Sequence, residues 1–259
     1  MASVVRYRRG CAETVPIGWF GAASTTGRVG LVPGTEHELD GGMTDQSETT
    51  LLLVRHGESE VTVRRVLGGE ATCTGLSELG RRQAAALRDR WESGTEPEVD
   101  VLYSSTLPRA IETAEIINPA LGNLPLALDE DLVEHRPGDA DGMPFDQVEE
   151  VFGPLDFHSR PHSPMAPNAE SAQAFFHRTS RGLERVLSDN VGRTVLISCH
   201  GGVIDIAFRY LLDLPRRGSF DLWTLNTSIT EFRANDAGPH RGRWRLVRYN
   251  DHAHLAGLA

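Results

Sequence analysis

Apolar residues follow two alternating patterns along the chain from about residue 50 onward. Short β-rich runs predict strands at 51–54, 99–105, 124–128 and 193–199. Longer segments with apolar residues at helical spacing predict helices at 76–93, 107–117, 169–189 and 202–214. Two late runs, 226–234 and 243–250, are predicted to pair as strands. This alternation indicates an α/β fold, and we expect a three-layer α/β/α sandwich with a mostly parallel central sheet.

The first 42 residues do not share this alternation. They show no helical or alternating periodicity, and they end in the turn-like run Asp40-Gly41-Gly42. The basic residues near the start are not followed by an unbroken apolar stretch, which argues against a secretory signal. We therefore expect residues 1–42 to be a disordered extension or the product of a mis-called start codon, and residues 43–259 to form one domain.

One segment inside that domain is irregular. Residues 129–168 are rich in proline, glycine, histidine and acidic residues, and only 145–152 has a helical pattern. We expect this segment to be an excursion over the domain. Substrate specificity is expected there and in the loop after Ser59.

Composition narrows the class of protein. The formal net charge of −10 argues against nucleic acid as a partner, because binding to a phosphate backbone requires a basic face. No stretch approaches the roughly 18 apolar residues of a membrane span. The three cysteines have no CxxC spacing, which favours free thiols in a reducing compartment. We expect a cytoplasmic protein with a small-molecule partner; a homodimer is compatible with the sequence, but no coiled-coil pattern indicates one.

Basic side chains follow three of the predicted strands. Arg55 and His56 end the first, Arg109 comes shortly after the second, and His200 ends the fourth. In parallel sheets, ligands bind beyond the carboxyl ends of the strands, so these residues would meet if the strands are neighbours. Two imidazoles could hold a metal, but no carboxylate or cysteine ligand is evident beside them. The guanidinium groups argue instead for an anion, since planar arginine forks suit phosphate oxygens.

The residues around the histidines fit phosphoryl chemistry. Gly57 and Gly201 each follow a histidine and would let the backbone approach an anion closely, with helix N-termini adding N–H donors. A histidine in such a pocket can attack phosphorus and form a covalent intermediate. The leaving oxygen then needs a proton, so a carboxylic acid should lie nearby.

Five stretches resemble the histidine phosphatase superfamily, also called the phosphoglycerate-mutase-like family. They occur in the family's order between about Leu51 and His254, and they read LVRHGES, LSELGRRQA, SSTLPRAIETA, LVEHRPGDADG and LISCHGGVI. A lone RHG would be weak evidence, whereas five motifs in order are specific. The resemblance implies a reaction that needs neither a metal nor a cofactor.

The same resemblance implies roles for individual residues. His56 corresponds to the phosphorylated nucleophile, and Glu134 to the proton donor. Arg55, Arg109 and His200 correspond to the pocket that stabilises charge on the transferring phosphoryl group. In the late NTSIT run, Asn226 and Ser228 are expected to support the sheet edge or the pocket.

Two positions depart from the family pattern. Many members have asparagine six residues after the nucleophilic histidine, where this chain has Thr62. A threonine can still donate a hydrogen bond to phosphate, so we expect Thr62 to contact substrate. The usual Gly-Glu-Ser before the long helix is here Ala169-Glu170-Ser171, and Glu170 is expected to cap that helix and to steady the adjoining loop.

Three functions remain open at this point. Cofactor-dependent mutases carry a basic insertion that closes over the site, whereas the segment between His56 and His200 holds few basic residues in its irregular part. This favours a phosphatase acting on a small phosphomonoester, such as a sugar phosphate or a phosphoglycerate-like acid. A phosphoglycerate mutase is the first alternative. A catalytically quiet, phosphate-binding regulatory protein is the second.

Overall fold

A six-stranded sheet forms the centre of the protein. The computed structural model describes residues 48–157, 159–215, 222–235 and 243–258. The strands are β1 (Thr49–Arg55), β2 (Val101–Ser105), β3 (Leu126–Asp129), β4 (Thr194–Cys199), β5 (Ile229–Ala234) and β6 (Arg245–Asp251). Their order is β3-β2-β4-β1-β5-β6, with the first four parallel and the last two antiparallel additions. The expected extension over residues 1–42 lies outside the described residues, so that boundary stays a prediction.

Six α-helices accompany the strands in the described ranges of the chain. They are α1 (Glu60–Val63), α2 (Glu78–Glu92), α3 (Pro108–Ile117), α4 (Phe145–Phe152), α5 (Ala172–Asp189) and α6 (Gly201–Leu211). Single 3₁₀ turns occur at Asn118–Leu121, Glu130–Leu132, Gly138–Ala140 and Ala253–Leu255. The short helix α1 was not predicted, because four residues are too few to show a helical period. None of the described helices is both long enough and apolar enough to cross a bilayer.

The strand β1 shows why the molecule has three layers. Leu52 and Val54 pack with Leu87 of α2, while Leu51 and Leu53 belong to a second cluster with side chains of α5 and α6. All four β1 side chains are fully buried, so both faces of the sheet are covered. A continuous apolar run is what a strand covered on both faces requires. The expected α/β/α fold with a mostly parallel sheet is therefore confirmed.

The pairing of the strands fixes the position of the predicted site. β1 and β4 run parallel with Arg55 opposite Cys199, so His56 and His200 leave the sheet side by side. β4 also pairs with β2, with Ser198 opposite Ser104. The carboxyl ends of these three strands therefore meet at one edge.

The structure corrects the predicted boundaries at several points. β3 begins at Leu126 and β5 at Ile229, each a few residues later than the apolar runs suggested. The predicted helix within the irregular segment is confirmed as α4. The expected capping role of Glu170 is wrong: Ser171 is the N-cap of α5, and its Oγ accepts a hydrogen bond from the Ala174 N–H at 3.2 Å.

Candidate active site

Basic side chains from three elements converge at the carboxyl edge of the sheet. The rings of His56 and His200 lie 5.1 Å apart, centroid to centroid. Arg109, in the first turn of α3, donates from Nε to His56 Nε2 at 3.1 Å and from Nη1 to the Gly68 carbonyl at 3.0 Å. All three side chains are buried. The structure thus brings together the residues that follow β1, β2 and β4.

The orientation of the His56 ring follows from its hydrogen bonds. Nδ1 lies 2.6 Å from the Gly57 carbonyl, which can only accept, so Nδ1 carries the proton. Nε2 then has the lone pair, which accepts the hydrogen bond from Arg109 Nε. The His56 carbonyl accepts from Asn226 Nδ2 at 2.8 Å, so Asn226 steadies the end of β1.

His200 is held by a hydroxyl at the end of β2. Its Nε2 shares a 2.7 Å hydrogen bond with Ser105 Oγ, which also accepts from the Leu107 N–H at 3.2 Å. The other ring nitrogen, Nδ1, is buried and has no hydrogen-bond partner among the described residues. Sequence reasoning assigned no role to Ser105, although its position at a strand end within SSTLP was a usable signal.

Arg55 is anchored at one end of its guanidinium group. Nη1 donates to the Thr224 carbonyl, whereas Nε is buried without a partner among the described residues. A Cβ added to Gly201 would lie 3.9 Å from that Nε, so Gly201 sits beside the guanidinium at the start of α6. Buried donors are almost always satisfied in proteins, and a phosphoryl oxygen could accept from Arg55 Nε.

Glu134 lies against the N-terminus of α6. Its Oε2 accepts from the Gly202 N–H at 3.0 Å and its Oε1 from the His135 N–H at 2.9 Å. A Cβ added to Gly202 would overlap Glu134 Oε1 and come within 2.9 Å of the Phe175 ring. The absence of a side chain at Gly202 therefore makes room for the Glu134 carboxyl group.

Burial sets the protonation of the two histidines. Desolvation lowers the pKa of His56 well below 6.5, and the charges of Arg109 and Arg55 lower it further. The same causes, burial first and Arg109 second, lower the pKa of His200 well below 6.5. Burial also lowers the pKa of Arg55, opposed by the nearby Glu134 carboxyl. Both imidazoles are therefore neutral at pH 7, while the guanidinium groups stay charged.

A cavity of about 730 Å³ opens onto these groups. Arg55, His56, Arg109 and Glu134 form part of its wall. Thr62, one of the two positions at which the chain departs from the family pattern, also lines it. The Thr62 hydroxyl lies 2.9 Å from Ser59 Oγ and shares a hydrogen bond with it. This volume is within the range of small-molecule sites.

A buried ion pair supports the segment that carries Glu134. The Arg178 guanidinium donates to both carboxylate oxygens of Glu170, at 2.8 and 2.9 Å. It also donates to the carbonyls of Asp131 at 2.9 Å, Val133 at 3.0 Å and Glu134 at 3.3 Å. Sequence reasoning missed Arg178. The available signal was a charged residue within the apolar stripe of α5.

In the part of the chain that the structure describes, no group of three His, Cys, Asp or Glu side chains is arranged to hold a metal ion. The arrangement of charge is instead that of an anion site. A neutral, oriented imidazole faces a buried guanidinium group, with a second arginine and a carboxyl group within the same cavity.

Comparison with known proteins agrees with this geometry. The model of the histidine phosphatase superfamily (branch 1) matches residues 51–252. The chain is 30% identical over 224 residues to phosphoglycerate mutase-like protein 4 of Arabidopsis thaliana, covering 85% of this chain and 92% of that one. It is 31% identical over 211 residues to the uncharacterized phosphatase PhoE of Bacillus subtilis, covering 81% and 98%.

A solved structure of similar fold comes from mycobacteria. It is a glucosyl-3-phosphoglycerate phosphatase in complex with VO3, with a TM-score of 0.65 and 25% identity over 78% of this chain and 99% of that one. The fold, the ordered motifs and the family match agree. The chain therefore belongs to the histidine phosphatase superfamily and is an enzyme of the phosphatase or mutase type.

Proposed function

We propose that the protein is a phosphatase that hydrolyses phosphomonoesters through a phosphohistidine formed on His56. The observation that carries this proposal is the state of His56. Its Nδ1–H is committed to the Gly57 carbonyl, so its lone pair lies on Nε2, where it accepts a hydrogen bond from Arg109 Nε. A nucleophile needs an unprotonated lone pair, and an anionic substrate needs positive charge beside it; a bound phosphate would accept the Arg109 N–H in place of Nε2.

The first step transfers the phosphoryl group to the enzyme. Arg55, Arg109 and His200 would bind the phosphate oxygens and stabilise the charge on them. His56 Nε2 attacks phosphorus, an N–P bond forms, and the ester O–P bond breaks. Glu134 gives a proton to the leaving oxygen, so the alcohol departs neutral.

The second step regenerates the enzyme. A water molecule attacks the phosphohistidine, and Glu134 takes a proton from that water. The N–P bond breaks, its electrons return to Nε2, and inorganic phosphate leaves. The same carboxyl group therefore acts first as an acid and then as a base. Its position in the wall of the same cavity as His56 supports both roles.

The charges in the cavity wall favour hydrolysis over a mutase reaction. A phosphoglycerate mutase must retain a bisphosphorylated intermediate, which calls for a second cluster of positive charge. Beyond Arg55 and Arg109, the described residues of the wall include one further arginine, Arg209. Arg209 donates to the Asp205 carboxylate at 2.8 Å, so its charge is already balanced. The phosphatase names of two of the similar proteins point the same way.

The direct test is hydrolysis of p-nitrophenyl phosphate in the presence of EDTA. We expect chelator-resistant turnover in the wild type and a loss of about 10³-fold or more in His56→Ala. His252→Ala is the matched control, because His252 is exposed and lies outside the cavity wall. Its turnover should match that of the wild type.

Two outcomes would contradict the proposal. Turnover that survives in His56→Ala would exclude the phosphohistidine route. An inactive wild type that still binds inorganic phosphate would favour the phosphate-binding regulatory protein. A parallel assay for conversion of 3-phosphoglycerate to 2-phosphoglycerate tests the mutase, and we expect none.

A further inference from the structure

We infer that the site takes phosphomonoesters whose organic group is apolar, an alkyl chain or an aromatic ring, in preference to sugar phosphates or short hydroxy acids. The inference rests on the proposed function for the phosphate end of the site. Beyond that function, it specifies which kind of alcohol leaves when the ester is hydrolysed. The cavity of about 730 Å³ is much larger than a phosphoryl group needs, so most of its wall must face the rest of the substrate.

The wall is mainly apolar. Of the 25 described residues that line the cavity, thirteen are valine, leucine, isoleucine, methionine, phenylalanine, proline or alanine. The large apolar side chains include Phe157, which is 38% exposed, and Phe145, which is 55% exposed. Apolar side chains that line a cavity and remain partly exposed to water gain free energy when a ligand covers them.

One apolar wall begins beside the candidate proton donor. Phe175 flanks Gly202, whose N–H binds the Glu134 carboxyl group. The His135 ring lies edge-to-face between Phe175 and Phe157, with centroid distances of 5.5 and 5.6 Å. These three rings therefore form a continuous surface that starts where the leaving oxygen would be protonated.

His135 does not add a positive charge to this aromatic surface. Burial lowers its pKa below 6.5, and this effect exceeds the opposing effect of Glu134. The ring is therefore neutral at pH 7 and contributes an aromatic face rather than a cation. It is a poor receptor for a second phosphate or a carboxylate.

A second apolar wall begins beside Arg109. The Gly68 carbonyl accepts from Arg109 Nη1, and a side chain on Gly68 would collide with Val61. The preceding residue, Leu67, packs in a small cluster with Leu155 and Met165 of the irregular segment. Val61, Leu67, Leu155 and Met165 all line the cavity. The phosphate end is thus flanked on two sides by apolar surface.

Most polar side chains of the wall outside the phosphate end already have partners in the protein: Ser59 pairs with Thr62, Gln173 with His177, and Asp205 with Arg209. The exception is His135, whose two ring nitrogens are buried without a hydrogen-bond partner among the described residues. A sugar would bring several hydroxyl groups, and each one left without a partner costs free energy on burial. An alkyl or aryl group brings none. The wall therefore favours the apolar substituent.

The test is calorimetric binding of two phosphonates that cannot be hydrolysed. Hexylphosphonate and 3,4-dihydroxybutylphosphonate carry chains with equal numbers of non-hydrogen atoms and differ mainly in polarity. We expect the hexyl compound to bind the wild type at least about tenfold more tightly. Equal affinities, tighter binding of the dihydroxy compound, or no binding of either would overturn the inference.

Matched variants locate the effect. Phe157→Ala removes part of the aromatic wall and should weaken hexylphosphonate about threefold or more, with little change for the dihydroxy compound. Val151→Ala removes an exposed apolar side chain of α4 outside the cavity wall and should change neither affinity. Equal effects of the two variants on hexylphosphonate would place its binding elsewhere and overturn the inference.

Turnover separates this inference from the proposed function. Hexyl phosphate and glycerol 1-phosphate are both esters of primary alcohols, so their leaving groups have similar basicity. We expect a kcat/KM about tenfold or more higher for the hexyl ester. Binding selectivity without any turnover would contradict the phosphatase and sustain the apolar site. Turnover with no selectivity in either assay would sustain the phosphatase and contradict the apolar site.

Discussion

At the scale of single residues, the surroundings of His56 keep its imidazole unprotonated. The side chain is buried, and two guanidinium groups lie near it, so the neutral imidazole is favoured. The Gly57 carbonyl opposes this effect and fixes which nitrogen carries the proton. Burial, and after it the arginines that would bind phosphate, thus keep the proposed nucleophile in its neutral form.

This electrostatic arrangement predicts an unusual titration. Because the pKa of His56 is lowered, its imidazole should remain neutral at pH 6 and gain a proton only well below pH 6.5. Side-chain ¹⁵N NMR of the histidines measures this directly, and His56→Gln identifies the signal. A midpoint at or above pH 6.5 would contradict the electrostatic account.

The sequence predicts His56 as a residue of the site, but it does not predict the contacts that orient it. An arginine and a histidine at a strand end are visible in the run LLLVRHGES. The hydrogen bond from Asn226 to the His56 carbonyl joins residues 170 positions apart, and the Ser105–His200 bond spans 95. Such contacts depend on which strands are neighbours, and local pattern does not contain that information.

At the scale of elements, α5 holds the segment that carries Glu134. Arg178 is 7% exposed, and its guanidinium group is divided between the Glu170 carboxylate and backbone carbonyls of the 130–134 segment. A buried charge of this kind is stable only while its partner remains. α5 is therefore part of the support for the site.

We predict that Arg178→Met destabilises the protein strongly. The substitution leaves the Glu170 carboxylate buried without its partner, which costs about 3–5 kcal/mol of the free energy of unfolding. Arg181→Met on the same helix is the control, since the Arg181 side chain is 68% exposed and its solvent-screened pair with Asp131 should contribute little to stability. Urea denaturation measures both. Equal losses in the free energy of unfolding would show that the burial of Arg178 does not determine its contribution to stability.

The local sequence pattern was enough to predict most helices and strands, but not the exact start of α5. The apolar periods of α2, α3, α5 and α6 and the runs of β1, β2 and β4 were sufficient to find those elements. The start of α5 was misjudged at Glu170, because both Glu170 and Ser171 are plausible near a helix N-terminus. The Ser171 hydroxyl fills the cap position, and the Glu170 carboxylate turns to Arg178 instead.

At the scale of the whole molecule, the sheet order places the site. β4 lies between β1 and β2, and this order brings His56, His200 and Ser105 to one edge. The sequence predicted a mostly parallel sheet and left the neighbours open. The apolar cavity was also beyond prediction. Its wall combines residues of the irregular segment, such as Leu155 and Phe157, with others from α5 and α6, and these share no local period.

The central claim is that a phosphoryl group resides on His56 during turnover. The direct measurement is a single turnover with ³²P-labelled p-nitrophenyl phosphate, followed by peptide mapping. The reaction is stopped in base, because phosphohistidine is acid-labile. We expect up to one label per chain on the peptide that contains His56, and no label in His56→Ala. Wild-type turnover without any enzyme-bound label, or a label on a different residue, would contradict it.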